Sequence, residues 1–109
     1  MTLGSGEALV ALATAASEEE GKRIAHALVS ERLAACVNVV PRITSVYTWK
    51  GAVEESSEVM LVVKTTQAAF ARMKARLVEL HSYDVPECIA LRVLDGHAPY
   101  LAWIQESVT

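Results

Sequence analysis

Residues 36–49 read Cys36-Val37-Asn38-Val39-Val40-Pro41-Arg42-Ile43-Thr44-Ser45-Val46-Tyr47-Thr48-Trp49; Lys50-Gly51 follows, and a second stretch closes on Val59-Met60-Leu61-Val62-Val63. Val, Ile, Thr and Tyr dominate the first stretch, which predicts a long strand. Pro41 has no N–H to give to a ladder, so it predicts a bulge or an edge position. Lys50-Gly51 turns the chain into a hairpin. The unbroken run Val59–Val63 suits a strand buried on both faces. Each arm spans about 13 residues against the usual 5 or 6. That excess length predicts a hairpin projecting beyond the subunit and pairing elsewhere.

Upstream, Leu9-Val10-Ala11-Leu12-Ala13 predicts a strand. Ser17 and Glu20 make a capping box for a helix whose first turn, Glu18-Glu19-Glu20, suits the positive end of the dipole. Ile24 and Leu28 give that helix an apolar face through about Ala35. Downstream, Thr65 or Thr66 caps a second helix with a stripe of Phe70, Met73, Leu77 and Leu80. Val85-Pro86 breaks away, Cys88 to Leu94 reads as a fourth strand, and Pro99 starts a short last helix with Tyr100, Leu101, Trp103 and Ile104. The order is βαββαβ plus a helix. This is the ferredoxin-like α+β class: a four-stranded antiparallel sheet with both main helices on one face. The strands are too apolar to leave the other face in water, which predicts burial by another subunit.

The chain has 109 residues, 52% apolar and 21% charged, enough for one globular domain, expected over residues 7–109 behind a loose tail, Met1–Gly6. Ten basic against 13 acidic residues give a net charge of -3, which argues against a nucleic-acid partner. The longest apolar run is too short to span a bilayer, and no signal peptide is visible. No membrane partner and a cytoplasmic location are the expectation. Cys36 and Cys88 form no paired motif, which excludes a disulfide scaffold or zinc finger as the basis of the fold.

Arg32-Leu33-Ala34-Ala35-Cys36-Val37-Asn38-Val39-Val40-Pro41 resembles a signature of the CutA family of divalent-cation tolerance proteins. So do Ile43-Thr44-Ser45-Val46-Tyr47 with Trp49 and Gly51, Lys64-Thr65, His81 with Tyr83, Val85-Pro86-Glu87 and Ile89-Ala90-Leu91, and Tyr100-Leu101 with Trp103. The blocks run from the first strand to the last helix in the family order. Arg42 replaces a usual Gly, and Ser82 and Arg92 replace usual prolines. The resemblance implies a tight homotrimer in which the hairpin reaches a neighbour. Its architecture is similar to that of PII signalling proteins, which hold small ligands between subunits. Copper-binding members have, by the same resemblance, a Cys where this chain has Ala13 and a second His where it has Leu80.

His81 is the metal-ligand candidate: an imidazole after the second helix, near Tyr83 and Glu87, able to bind Cu(II), Zn(II) or another divalent cation. The plainer reading is a helix-end cap. Cys36 and Cys88 both start strands, where a shared thiolate site is conceivable and simple packing is commoner. Tyr47, Trp49, Lys64, Tyr83, Glu87 and Trp103 form a second constellation. Where the hairpin tip meets a neighbour's 83–87 loop, they would line an inter-subunit cleft for a small polar or anionic ligand; the alternative is interface packing, or a bare Lys64–Glu87 pair. His26 reads as a surface side chain, and Asp95-Gly96-His97 as a turn or cap. Glu54, Glu55 and Glu58 flank the hairpin as weak cation collectors or as a solvated strand edge. No phosphate loop, Gly-x-Ser-x-Gly elbow or His-Glu-x-x-His is present. The expectation is therefore a non-enzymatic cation-tolerance protein without an organic cofactor, or alternatively a metabolite-binding regulatory trimer.

Overall fold

The computed structural model describes residues 7–109; the tail expected at Met1–Gly6 lies outside them. The elements are β1 (Ala8–Ala15), α1 (Glu18–Ser30), β2 (Cys36–Trp49), β3 (Ala52–Thr66), α2 (Gln67–Leu80), β4 (Cys88–Arg92) and α3 (Ala98–Ser107). The sheet is antiparallel throughout, in the order β2-β3-β1-β4.

Alternation along β3 sorts the run that reads as uniformly apolar. Val59, Leu61 and Val63 are buried beneath α1 and α2 with Ile24, Leu28, Met73 and Leu77. Met60 and Val62 point to the opposite face and are only half-buried. Val40, Ile89 and Leu91 are exposed, and their ladder partners place them on that bare face too. The expectation of a strand buried on both faces is thus met on one face within a single chain.

Local sequence accounts for the element ends. Ser17 caps α1, its hydroxyl accepting from the Glu20 amide at 3.1 Å. The return half of the capping box differs from expectation: Glu20 Oε1 takes the Ala16 N–H at 3.1 Å. α1 stops at Ser30 rather than near Ala35. Arg32 adopts φ 58°, and the Leu33 and Ala34 amides both return to the Leu28 carbonyl. The apolar Leu33-Ala34-Ala35 continues the pattern but packs from a turn. Thr66 caps α2 through the Ala69 amide; Thr65 donates instead to the Leu33 carbonyl at 2.7 Å. β4 ends at Arg92, opposite Leu9, because β1 offers almost no further partner.

The hairpin carries the two features its sequence predicts. Its ladder slips between Val40 and Ile43, at Pro41-Arg42, on an edge strand. Arg42 has φ 61°, the left-handed conformation that glycine takes most easily. The tip, Lys50-Gly51, has φ 51° and 82°, the two positive values of a tight hairpin turn. A Cβ on Gly51 would meet nothing within 4 Å, so a substitution there costs backbone strain alone. Gly51→Ala is expected to lower stability by roughly 1–2 kcal/mol, read from the midpoint of urea unfolding at unchanged slope. An unshifted midpoint would mean that the turn relaxes freely.

Candidate functional site

The bulge sets the site. Val40 lies beside Met60 before it, and Ile43 lies beside Glu58 after it. Three residues on β2 therefore match two on β3. This one-residue slip exchanges the faces of everything beyond it. Ser45, Tyr47 and Trp49 are thereby brought to the side of the sheet that carries Glu58, Met60 and Thr14. The connection between α2 and β4 crosses the same end of the sheet. Between it and the hairpin arm lies an open cavity of 530 Å³ walled by Tyr47, Trp49, Tyr83, Glu58, Asp84 and Glu87.

Of the six residues expected in the cleft, four line this cavity: Tyr47, Trp49, Tyr83 and Glu87. One chain brings them together, where the sequence implies two. Lys64 and Trp103 do not join them. Lys64 stands six residues along β3 from Glu58, about 20 Å at strand rise. There its ammonium bonds Asn38 and lies 4.0 Å from Cys36 Sγ, so no Lys64–Glu87 pair forms. Trp103 stacks at 5.5 Å on Tyr100 in α3, a helix that packs near Ala8, Ala35 and Ala69. Sequence reasoning places Glu58 among the hairpin-edge carboxylates and passes over Asp84. The available signal was phase: Glu58 heads the alternating column Met60, Val62 of the bare face.

Tyr83 donates its hydroxyl proton to Glu58 Oε2 at 2.7 Å. Burial, followed by that hydrogen bond and the Glu58 charge, pushes the phenol far above its usual range, so it stays a donor. His81 stacks on Tyr83 at 4.6 Å with both ring nitrogens committed. Nε2 lies 2.6 Å from the Thr14 carbonyl and donates to it, while Nδ1 accepts the Tyr83 N–H at 3.1 Å. An ion at His81 would have to take Nδ1 from that amide. Among the described residues no group of three His, Cys, Asp or Glu side chains is arranged to hold a metal.

Glu20 anchors the connection from the other side. Its carboxylate, on a buried residue, accepts from Ala16 N–H and, at 2.9 Å, from Ser82 N–H. Burial raises its pKa; the bonds from Ser82 and Ala16 and the nearby His81 outweigh this and leave it lowered. A proline at 82 would have no N–H to give.

The cysteines lie on opposite edge strands, Cys36 on β2 and Cys88 on β4. Two strands separate them, so a single chain builds no shared thiolate site from this pair. Burial pushes the Cys88 thiol up, which fits packing rather than nucleophilic chemistry. Asp95 bonds the Gly96 amide, and His97 occupies the N-cap of α3 without a side-chain bond. His26 is exposed.

Fold and site together define a small ferredoxin-like α+β protein with one uncovered apolar sheet face and an acidic, aromatic-walled cavity beside its hairpin. The chain belongs to the CutA1 divalent ion tolerance protein family, whose model matches residues 9–107. It is 52% identical over 98 residues to the divalent-cation tolerance protein CutA of Thermus thermophilus, covering 90% of this chain and 95% of that one. It is 44% identical over 101 residues to mouse protein CutA, covering 93% of this chain and 57% of the longer mouse protein. The solved structure of the divalent cation tolerance protein (Cut A1) from Thermus thermophilus superposes with a TM-score of 0.92 at 50% identity, covering 94% of this chain and 99% of that one. Among the described residues no helix is long and apolar enough to cross a membrane.

Proposed function

We propose that this chain serves divalent-cation tolerance as a non-enzymatic homotrimer that meets copper, or another divalent cation, weakly through His81. The observation that carries the reading is the imidazole itself. It is the titratable nitrogen of the connection, partly exposed, and a single backbone amide holds its Nδ1. One such ligand gives a modest contact rather than a resident metal. The trimer is supported by the uncovered Ile89, Leu91 and Val40 beside half-buried Met60 and Val62, an apolar face that a lone soluble subunit rarely leaves in water. Two free cysteines on separate edges fit a reducing compartment such as the cytoplasm.

The test is a calorimetric copper titration on protein whose mass has first been read by light scattering. The expected result is a trimer with one weak, saturable event per subunit that His81→Ala abolishes while the trimer persists. Unsaturable heat that the substitution leaves unchanged would end the case for direct metal contact, and a monomeric mass would end the case for the trimer.

A second reading has its own observation, the 530 Å³ cavity, a volume within the range of small-molecule sites. On this reading the protein is a PII-like trimeric regulatory module that holds a small polar metabolite in an inter-subunit cleft, to which this cavity contributes one chain's wall.

A further inference from the structure

We propose that α3 is a hinged flap, latched to the two main helices by Arg32 and Arg72, which opens and closes as a unit while the sheet stays intact. The hinge is the stretch after β4. The ladder to β1 ends at Arg92, opposite Leu9, and residues 93–97 adopt no regular structure before α3 begins at Ala98.

The hydrogen bonds that tie this segment back fall on its far end, and two arginines make them. The Arg32 guanidinium, in the turn after α1, donates to the Glu106 carbonyl at 2.8 Å. The Arg32 carbonyl accepts the Thr109 N–H at 3.1 Å. From α2, the Arg72 guanidinium donates to the Thr109 carbonyl. Between hinge and latch the bonds are internal: the Leu101 amide donates to the His97 carbonyl, and the Ser107 hydroxyl to the Trp103 carbonyl.

The apolar hold between them is small. Ile104 is the buried residue of α3. With Val108 it packs on Ala8, Ala35 and Ala69, a cluster apart from the main core. Alanine offers a single methyl group, so this contact buries little apolar area and the latch contributes a large share of the attachment. An element fixed at its two ends and weakly packed between them opens locally, at a lower free energy than the whole fold.

The identity of residue 32 fits the same device. Its φ of 58° is a conformation that glycine adopts more easily. A glycine would relieve the backbone and leave the Glu106 carbonyl without its donor. Arg32 therefore serves the turn after α1 and the far end of α3 together.

The experiment is hydrogen exchange read by mass spectrometry on the full chain in its native assembly, with the mass of every variant checked by light scattering. In the unaltered protein the amides of α3 are expected to exchange before those of β1. Arg32→Gly keeps the backbone carbonyl and suits the positive φ; Arg72→Gln removes the other charged donor. Each should speed exchange in α3 about tenfold, the effect of losing one hydrogen bond from a charged group, and leave β1 and β4 unchanged. Arg76→Gln, on the same helix as Arg72 but paired with Glu31 and Glu79, should leave α3 as it is. Unchanged exchange in both latch variants would mean that other contacts, a neighbouring copy's included, hold the helix, and would overturn the proposal. Equal acceleration across α3 and β1 would overturn it as well, because the flap would then have no opening of its own.

Discussion

Replacing Glu20 by alanine is expected to cost about 3 kcal/mol, taking the low end of about 1.5 kcal/mol for each hydrogen bond to a charged acceptor. Two such bonds are lost, from Ala16 N–H and Ser82 N–H. The carboxylate joins the entry of α1 to the start of the α2–β4 connection, so both ends loosen together. The dependence on pH follows from its lowered pKa. A carboxyl that ionises more easily folded than unfolded contributes its stability above the unfolded value, and loses it as pH falls through the folded one. The gap between the native protein and Glu20→Ala should be widest at neutral pH and narrow in acid, as read from urea unfolding across a pH series. Ser82→Pro removes one of the two donors and should reproduce part of the loss. A gap that persists unchanged into strong acid would mean that Glu20 acts by packing rather than charge.

Leu61→Ala is expected to cost roughly 2–5 kcal/mol. Leu61 is fully buried at the centre of the main core, between Ala13 of β1 and Val39 of β2. Ala13 and Gly21 limit how far the surroundings can close on the space. Ala13 has no reach, and α1 meets the sheet here through Gly21, where even an added Cβ would stand 3.3 Å from the leucine methyl. At roughly 4–8 °C per kcal/mol for a domain near this size, the melting midpoint should fall by on the order of 10 °C or more. The comparison is made at one fixed protein concentration, since association would add to the apparent stability. Leu61→Met, which conserves volume, should cost under about 1.5 kcal/mol. Equal losses for both variants would point to a core that tolerates voids.

The α-helical stripes and the long hairpin were legible because their periodicity is strong. Met73 and Leu77 fall on the core as their spacing implies, and Pro41 declares the bulge. The end of α1 was hidden, since Leu33-Ala34-Ala35 carries apolar character through a turn that only the backbone at Arg32 reveals. Tyr47, Trp49, Tyr83 and Glu87 could be chosen from sequence as aromatic and charged residues near loops. Which of their companions stand close depends on strand direction and on a one-residue slip. Lys64 and Glu58 share a face and a strand, yet they serve opposite ends of the sheet. No local pattern separates them; the register does.

The strand order β2-β3-β1-β4 also has a consequence in time. The β2–β3 hairpin closes across a two-residue turn, and small turns form quickly. The middle of the sheet closes late. Ala8 meets Thr66 and Ala13 meets Cys88, so β1 must wait for partners made far downstream, at the entropic expense of long loops. During synthesis the first strand emerges long before either neighbour exists, and the last of them, β4, is only five residues long. Until the chain has passed Arg92, β1 has one edge with no strand to pair, and α3, which packs on Ala8, Ala35 and Ala69, comes later still.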